Sequence, residues 1–503
     1  MDKKNESLQN EFLKVLEFYK NKDYKNAEIY CYKILSINSY HFDSLIILAT
    51  ISVLSRNFEK AKEFLIKAID IQPNNISAIH NLATCYKEMG NTEEAKKYYN
   101  KVLEINPKHT NSYYNLGIIF YQTKDLKLAK KYFQKTIDIQ KNYGLAFFSL
   151  GNVHTDLKEY HEAISCYQKA IDINPKLVDA HNNLGLIYRT LNDFQNALNS
   201  YKKAIEIQPD HGGAYHNLAL AYKELGQFNN AIKSHEAAIK SEPTNLAHYY
   251  YLSELKKDIL DSELKKNINK IIVTNKSQIN NAYGNYLLAK YERKSKNYEE
   301  ELELLKKGHK SFFETRKNKF KLGVKYCFDD VIKINQNLEV KVLNGKKDSK
   351  IKPIFIVGLP RSGSTLVEVL ITSGTKDTIS LGESSIFNGI IAKKFSNDDN
   401  NLIDLENVNN KIFEIFNNKN LDFKNFSILD KSLENFFYID VIIKVFPKAV
   451  FIHTFRNIED NIFAIFQQSL SKLSWTHSIE NILKYVDNYL KIIAYFMKKY
   501  PEK

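Results

Sequence analysis

The sequence predicts two architectures in one chain: an α-helical solenoid first, then an open parallel α/β domain. Two observations carry this. From about residue 8 to 245, prolines and small residues return with a period of 34, the mark of stacked helix pairs. After residue 352, short β-branched runs alternate with helical spacing, and the first run passes through a glycine turn into a helix. That order suits a parallel sheet with ligands at its strand C-termini.

In the first half, Pro73, Pro107, Pro175, Pro209 and Pro243 share one register, with Ser39 and Lys141 in the two remaining slots. Small residues recur at Ala49, Ala83, Gly117, Gly151, Gly185 and Ala219, and again from Ala27 through Ala61, Ala95, Ala129, Ala163 and Ala197 to Ala231. Tyr99, Phe133, Tyr167 and Tyr201 stand four residues after the alanines. Small residues let two helices approach, the aromatics fill the gap beside them, and proline ends the second helix. Length and pattern resemble tetratricopeptide repeats, about seven of them. The concave face of such a solenoid is its usual binding surface, and by the resemblance it takes a protein or an extended peptide. Asn81, Asn115, Asn182, Asn183 and Asn217, just before recurring leucines, are candidate groove residues. The rival readings are solvated asparagines and a purely structural role, as a spacer or a dimerisation arm.

From residue 246 to about 340 the period decays while helical spacing persists. Asn297–Leu305 reads as the second helix of a degenerate repeat, with Glu301 in its alanine slot and Ala289 in the small position. This stretch is expected to cap the array. Residues 341–352, charged and holding Gly345, read as a linker, and 353–503 as the second domain. There Ile354–Val357, Thr378–Leu381, Phe426–Leu429 and Ala449–Thr454 are expected strands, and Phe437–Phe446 a buried helix that Pro447 ends. Ile412, Ile415 and Phe416 have helical spacing in between.

Composition narrows the class. The chain has 503 residues, 44% hydrophobic and 26% charged, with net charge +14, which fits a folded multidomain protein. The lysines are spread throughout, so the charge suits an anionic cofactor and gives no reason to expect nucleic acid. Cys31, Cys85, Cys166 and Cys327 have no metal-type spacing. No apolar run approaches membrane-spanning length, and a reducing cytoplasm is the expected compartment.

The stretch that carries chemistry is Pro353–Thr365. A short apolar strand leads into G-L-P-R-S-G-S-T at 358–365, then into a helix with Leu366, Val369 and Leu370. Backbone N–H groups and a helix N-terminus converge there on one anion. The glycine spacing is that of the nucleotide P-loop, but Ser364 holds its lysine position, which argues against ordinary ATP or GTP hydrolysis. The segment P-R-S-G-S-T-L at 360–366 closely resembles the 5′-phosphosulfate loop of sulfotransferases. That resemblance implies a P-loop-like α/β core and 3′-phosphoadenosine 5′-phosphosulfate as cofactor, without metal. Arg361, Ser362, Gly363, Ser364 and Thr365 would hold the 5′-phosphate.

Three further segments extend the likeness. Glu383, in L-G-E-S, matches the G-E segment of transferases related to the protein-tyrosine type, where a glutamate is the acceptor's base. Ser384 is the alternative occupant of that position, and a helix-capping carboxylate is the bland reading. Asp430-Lys431 through Asn435 resembles the D-K-x-P-x-N segment of repeat-containing bacterial sulfotransferases, with Leu433 for proline. Lys431 would then stabilise developing charge. Phe446–Asp460 resembles the second signature and makes Arg456 the 3′-phosphate ligand, a role that suits a guanidinium. Ile458 replaces its proline, and Ala464 stands where the family has a phosphate-binding serine. His453 reads as a structural strand residue, and His477 as a reserve base.

The expected function is sulfuryl transfer to a hydroxyl acceptor, with the repeats binding a protein partner or the acceptor. The alternative is a repeat scaffold with an inactive transferase domain. The strand count after Lys352, and a last helix ending close to Lys503, lead to the expectation of a C-terminally incomplete transferase core with an exposed sheet edge.

Overall fold

The computed structural model describes residues 3–330, 339–341, 352–375, 377–389, 402–404, 427–470 and 472–503. Most of the expected linker and the Ile412, Ile415 and Phe416 stretch lie outside these residues. The chain divides into two compact units, Met1–Glu242 and Pro243–Lys503.

The first unit runs from helix Lys3–Lys20 to helix Phe228–Ser241 in antiparallel pairs. The second helix of a repeat ends two residues before the proline slot, as at Ile105 before Pro107 and Ile207 before Pro209, because the residue preceding a proline is pushed out of helical conformation. Alanines 27, 61, 95, 129, 163, 197 and 231 are fully buried. A Cβ on Gly117, Gly151 or Gly185 would lie 2.6–2.7 Å from the ring of Phe133, Tyr167 or Tyr201. Glycine is therefore what allows these aromatics to fill the gap between paired helices.

The second unit opens with helices Leu246–Leu255, Ser262–Thr274, Gln278–Lys294, Tyr298–Glu314 and Lys317–Lys325. Glu301 is buried in its alanine slot, where Arg293 (2.7 Å) and the Gln467 amide (3.1 Å) bind its carboxylate. Among the described residues six strands follow in chain order: β1 (Glu339–Lys341), β2 (Ile354–Gly358), β3 (Thr378–Ser380), β4 (Leu402–Asp404), β5 (Ser427–Asp430) and β6 (Val450–Thr454). β1 and β4 pair in parallel, so a strand crosses the expected cap–linker boundary. The other four form a parallel sheet of order β3-β5-β2-β6. Phe355 and Val357 of β2 share one hydrophobic core with Tyr286 and Phe312 of the preceding helices and with Tyr485 and Tyr489 of helix Ile479–Lys499. The helices expected to cap the array are thus packed into the core of the second unit. At the β6 edge, the Phe451 N–H donates to the Lys503 carbonyl at 3.0 Å.

Candidate active site

β2 lies inside the sheet, flanked by β5 and β6, and its C-terminal end delivers the glycine loop. Gly358 pairs with Thr454, and a Cβ there would collide with the Thr454 hydroxyl. That hydroxyl also meets Ser362 Oγ at 2.7 Å. Arg361 and Gly363 both have left-handed backbone, φ 70° and 101°. The first is a strained conformation for a residue with a side chain, of the kind held at functional sites. Helix Ser364–Gly374 then starts at Gly363 without a side-chain cap. The Gly363 carbonyl takes the Leu366 and Val367 N–H groups at 3.0 and 3.2 Å, so the N–H groups without an intrahelical acceptor are those at the very start of the helix, where Arg361 and Thr365 are exposed.

Arg456 follows β6 directly and is exposed. Two contacts, one part-buried and one buried, hold its turn against the loop. One is the Thr454–Ser362 contact, and the other is the Asn461 amide donating to the Pro360 carbonyl at 2.7 Å. Asn457 caps helix Ile458–Phe466 by accepting the Asp460 N–H at 2.9 Å. Both candidate phosphate-binding arginines therefore project from turns joined at the C-terminal ends of β2 and β6. Ala464 is half-buried on that same helix.

Lys431, just past β5, reaches the loop helix. Its ammonium donates to Thr365 Oγ1 at 3.2 Å and pairs with Glu368 at 3.3 Å and Glu383 at 3.6 Å. Lys431 and Glu368 are largely buried, whereas the Glu383 side chain is 59% exposed. Glu383 sits in a tight turn between Gly382 (φ 60°) and Ser385 (φ 48°). Asp430, 2% exposed, fixes that turn. Its carboxylate accepts from Ser384 Oγ, from the Ser432 N–H at 2.8 Å and from the Asn435 amide at 2.7 Å. The Ser385 N–H donates to Ser432 Oγ at 2.7 Å, and the Lys431 N–H to the Gly382 carbonyl at 3.0 Å. Glu434, also in this segment, has its pKa raised by burial.

The sheet thus brings the loop, Glu383, Lys431 and Arg456 together. Ser384 is bound to Asp430. His477 belongs elsewhere: it packs against Phe312, Phe320 and His309, and burial lowers its pKa to about 3. His453 lies in β6 beside Tyr489 with its Nε2 buried and unpaired. Glu368, Asn461 and the hub role of Asp430 have no signature in the sequence. Asp430 and Asn435 share one motif, but nothing in a linear string shows that the first accepts from the second. Among the described residues, no group of three or more His, Cys, Asp or Glu is placed to hold a metal.

In the first unit one bond joins two of the candidate groove asparagines, and others of them bond to neighbouring residues. Asn183 donates to Asn152 and Asn217 to Asn182, each at 3.0 Å, while Asn115 accepts from Lys87 at 3.0 Å.

Comparison with known families agrees with this division. The model of the sulfotransferase family matches residues 353–502. The chain combines a sulfotransferase-family domain with tetratricopeptide repeats. Repeat models match residues 75–142, 151–191, 178–211 and 200–233, and the model of anaphase-promoting complex, cyclosome, subunit 3 matches 20–102. Similar solved structures include MamA, at 26% identity over 32% of this chain and 95% of that one, TM-score 0.31. YrrB, described as a tetratricopeptide protein with an unusual peptide-binding site, shows 23% identity over 37% and 96%, TM-score 0.33. A tetratricopeptide repeat protein from Parabacteroides merdae shows 19% identity over 49% and 98%, TM-score 0.41. No curated protein matches the chain.

Proposed function

We propose that the second unit transfers a sulfuryl group from 3′-phosphoadenosine 5′-phosphosulfate to a hydroxyl acceptor, and that the repeats hold a protein or peptide partner. The observation that carries this is the uncapped loop helix, whose Thr365 hydroxyl receives the ammonium of Lys431. A helix start without its own cap, a strained arginine beside it and a second arginine on the adjoining turn suit a ligand with two phosphates. The donor supplies an activated sulfuryl group when bound. The loop N–H groups and Arg361 would hold its 5′-phosphate and Arg456 its 3′-phosphate, and Lys431, beside Thr365, would offset the charge left on the 5′-phosphate as the sulfuryl group departs. Glu383 is the exposed carboxylate of the cluster and takes the proton from the acceptor hydroxyl. The repeat groove supports the partner reading through its asparagine amides, which keep hydrogen-bonding capacity beyond their mutual bonds.

Calorimetry tests the nucleotide assignment. Adenosine 3′,5′-bisphosphate is expected to bind more tightly than ATP and without magnesium, and Arg361→Ala to lose about 2 kcal/mol of affinity or more. Equal affinity for the two nucleotides, or a magnesium requirement, counts against the reading. Chemistry separates from binding in Glu383→Gln and Lys431→Ala. Each should slow sulfuryl turnover roughly a hundredfold; Glu383→Gln should keep bisphosphate affinity within a few-fold of the parent, whereas Lys431→Ala also weakens it by leaving Glu368 unpaired.

A further inference from the structure

Glu368 lies on the loop helix with its carboxylate engaged on both sides. One oxygen accepts from Ser380 Oγ, which itself accepts the Gly382 N–H at 3.0 Å. The other oxygen is 3.3 Å from Lys431 Nζ. A continuous chain thus runs from the Gly382–Glu383 turn through Ser380 and Glu368 to the ammonium. The same ammonium touches Thr365, at the start of the helix where the loop N–H groups gather. Its surroundings carry one positive and two negative charges, with Glu383 the more exposed partner and Glu368, 14% exposed, the anchored one.

An anion arriving at Thr365 and Lys431 meets the carboxylate of Glu368 on the same cation. A buried carboxylate so close to an anion site opposes the ligand, and its cost grows with desolvation. Lys431 alone does not require this neighbour, because Glu383 already offers a counter-charge. We propose that Glu368 is a positioning residue of the site: it holds Lys431 against the loop helix when the donor is absent, and competes with the donor's anion for that ammonium. Lys431 exchanges partners on binding, and the counter-ion role of Glu368 leaves Glu383 available to the acceptor. This rests on the nucleotide reading given above.

The test is the affinity of the full chain for adenosine 3′,5′-bisphosphate at low and at physiological salt. Glu368→Gln keeps the Ser380 hydrogen bond through its amide oxygen and removes the charge. It is expected to tighten binding roughly five- to tenfold, less so at higher salt. Glu368→Asp retains the charge and stays near the parent affinity, and Lys431→Ala added to Glu368→Gln cancels the gain. Should the amide variant not fold, Glu368→Ala is expected to shift affinity in the same direction. If the parent binds the bisphosphate and neither neutral variant binds more tightly, Glu368 is only a structural counter-ion and this inference is wrong. If the parent itself does not bind, the nucleotide reading falls and takes this inference with it.

Discussion

In the first unit, seven alanines from Ala27 to Ala231 are fully buried and Phe133, Tyr167 and Tyr201 pack beside the glycines that face them. In the second, Asp430 gathers Ser384, Ser432 and Asn435, and Asn461 reaches back to Pro360. The first unit solves one packing problem and repeats it, so each solution is apolar and local in sequence. The second places charged groups on strand ends and holds them with buried hydrogen bonds between distant segments. A solenoid tolerates a damaged repeat because stability is roughly a sum of neighbouring terms. A polar hub has no such neighbours, and losing it leaves several buried donors unsatisfied at once.

The sharpest test of that difference is Asp430→Ala. Three donors lose their acceptor in a site almost closed to water. At roughly 1.5–3 kcal/mol for each hydrogen bond to a charged group, the second unit should lose about 4 kcal/mol or more. Urea unfolding followed by hydrogen exchange is expected to show loss of protection at β2, β5 and β6 while the helices of the first unit keep theirs. A shift of 1 kcal/mol or less would mean that the hub is not what holds the turn. The contrast also explains what could be read in advance. The helix pairs were legible because their signal is periodic and survives in the linear string. Strand, loop and helix at 354–374 were legible because the motif is contiguous. The Glu368–Lys431 contact and the Asn461–Pro360 bond join residues far apart in sequence, and only folding reveals them. The placement of helices 246–325 was not legible either: their helical spacing marks an apolar face without saying which partner covers it.

Acid separates the two units by their buried histidines. In the first, burial lowers His80 to about 4, and His109 is also lowered. His109 caps its helix by accepting the Ser112 N–H through Nδ1, which a protonated ring cannot do. In the second, His309 and His477 face each other at 3.0 Å, lowered by burial to about 4 and about 3. A ring whose folded pKa lies below its ordinary value stays neutral in the native state while the unfolded chain takes up the proton. Stability is therefore full above about pH 6.5 and falls as the pH drops towards the folded pKa. Between pH 6.5 and 5 each deeply lowered histidine costs about 2 kcal/mol. With two such rings against one, and one milder ring in each unit, His109 and His453, the second unit should lose about 1–2 kcal/mol more than the first over that range. Unit-resolved denaturation at the two pH values tests this, and His477→Phe should flatten the slope of the second unit alone. Equal slopes for the two units would remove the distinction.

The smallest expected effect concerns the repeats themselves, through Gly185→Ala. Two terms oppose one another here. Alanine in a helix interior is favoured over glycine by about 0.5–1 kcal/mol, because the unfolded chain has less freedom to lose. Against this, the new Cβ would lie 2.6 Å from Tyr201 Cε1 and 2.8 Å from Cδ1, closer than side-chain carbons approach. Tyr201 is fully buried, so its ring has no solvent to move into, and the helix pair must separate by several tenths of an ångström. Such overpacking costs typically 1–3 kcal/mol, which leaves a net loss of about 1 kcal/mol. Because repeats interact only with their neighbours, hydrogen exchange should quicken in helices Val178–Thr190 and Phe194–Ile207 and leave the first two repeats unchanged. The double variant Gly185→Ala with Tyr201→Leu removes the ring that obstructs the methyl group. In that background the alanine should no longer destabilise, and a loss that persisted would place the cost in the helix backbone instead of in the packing between helices.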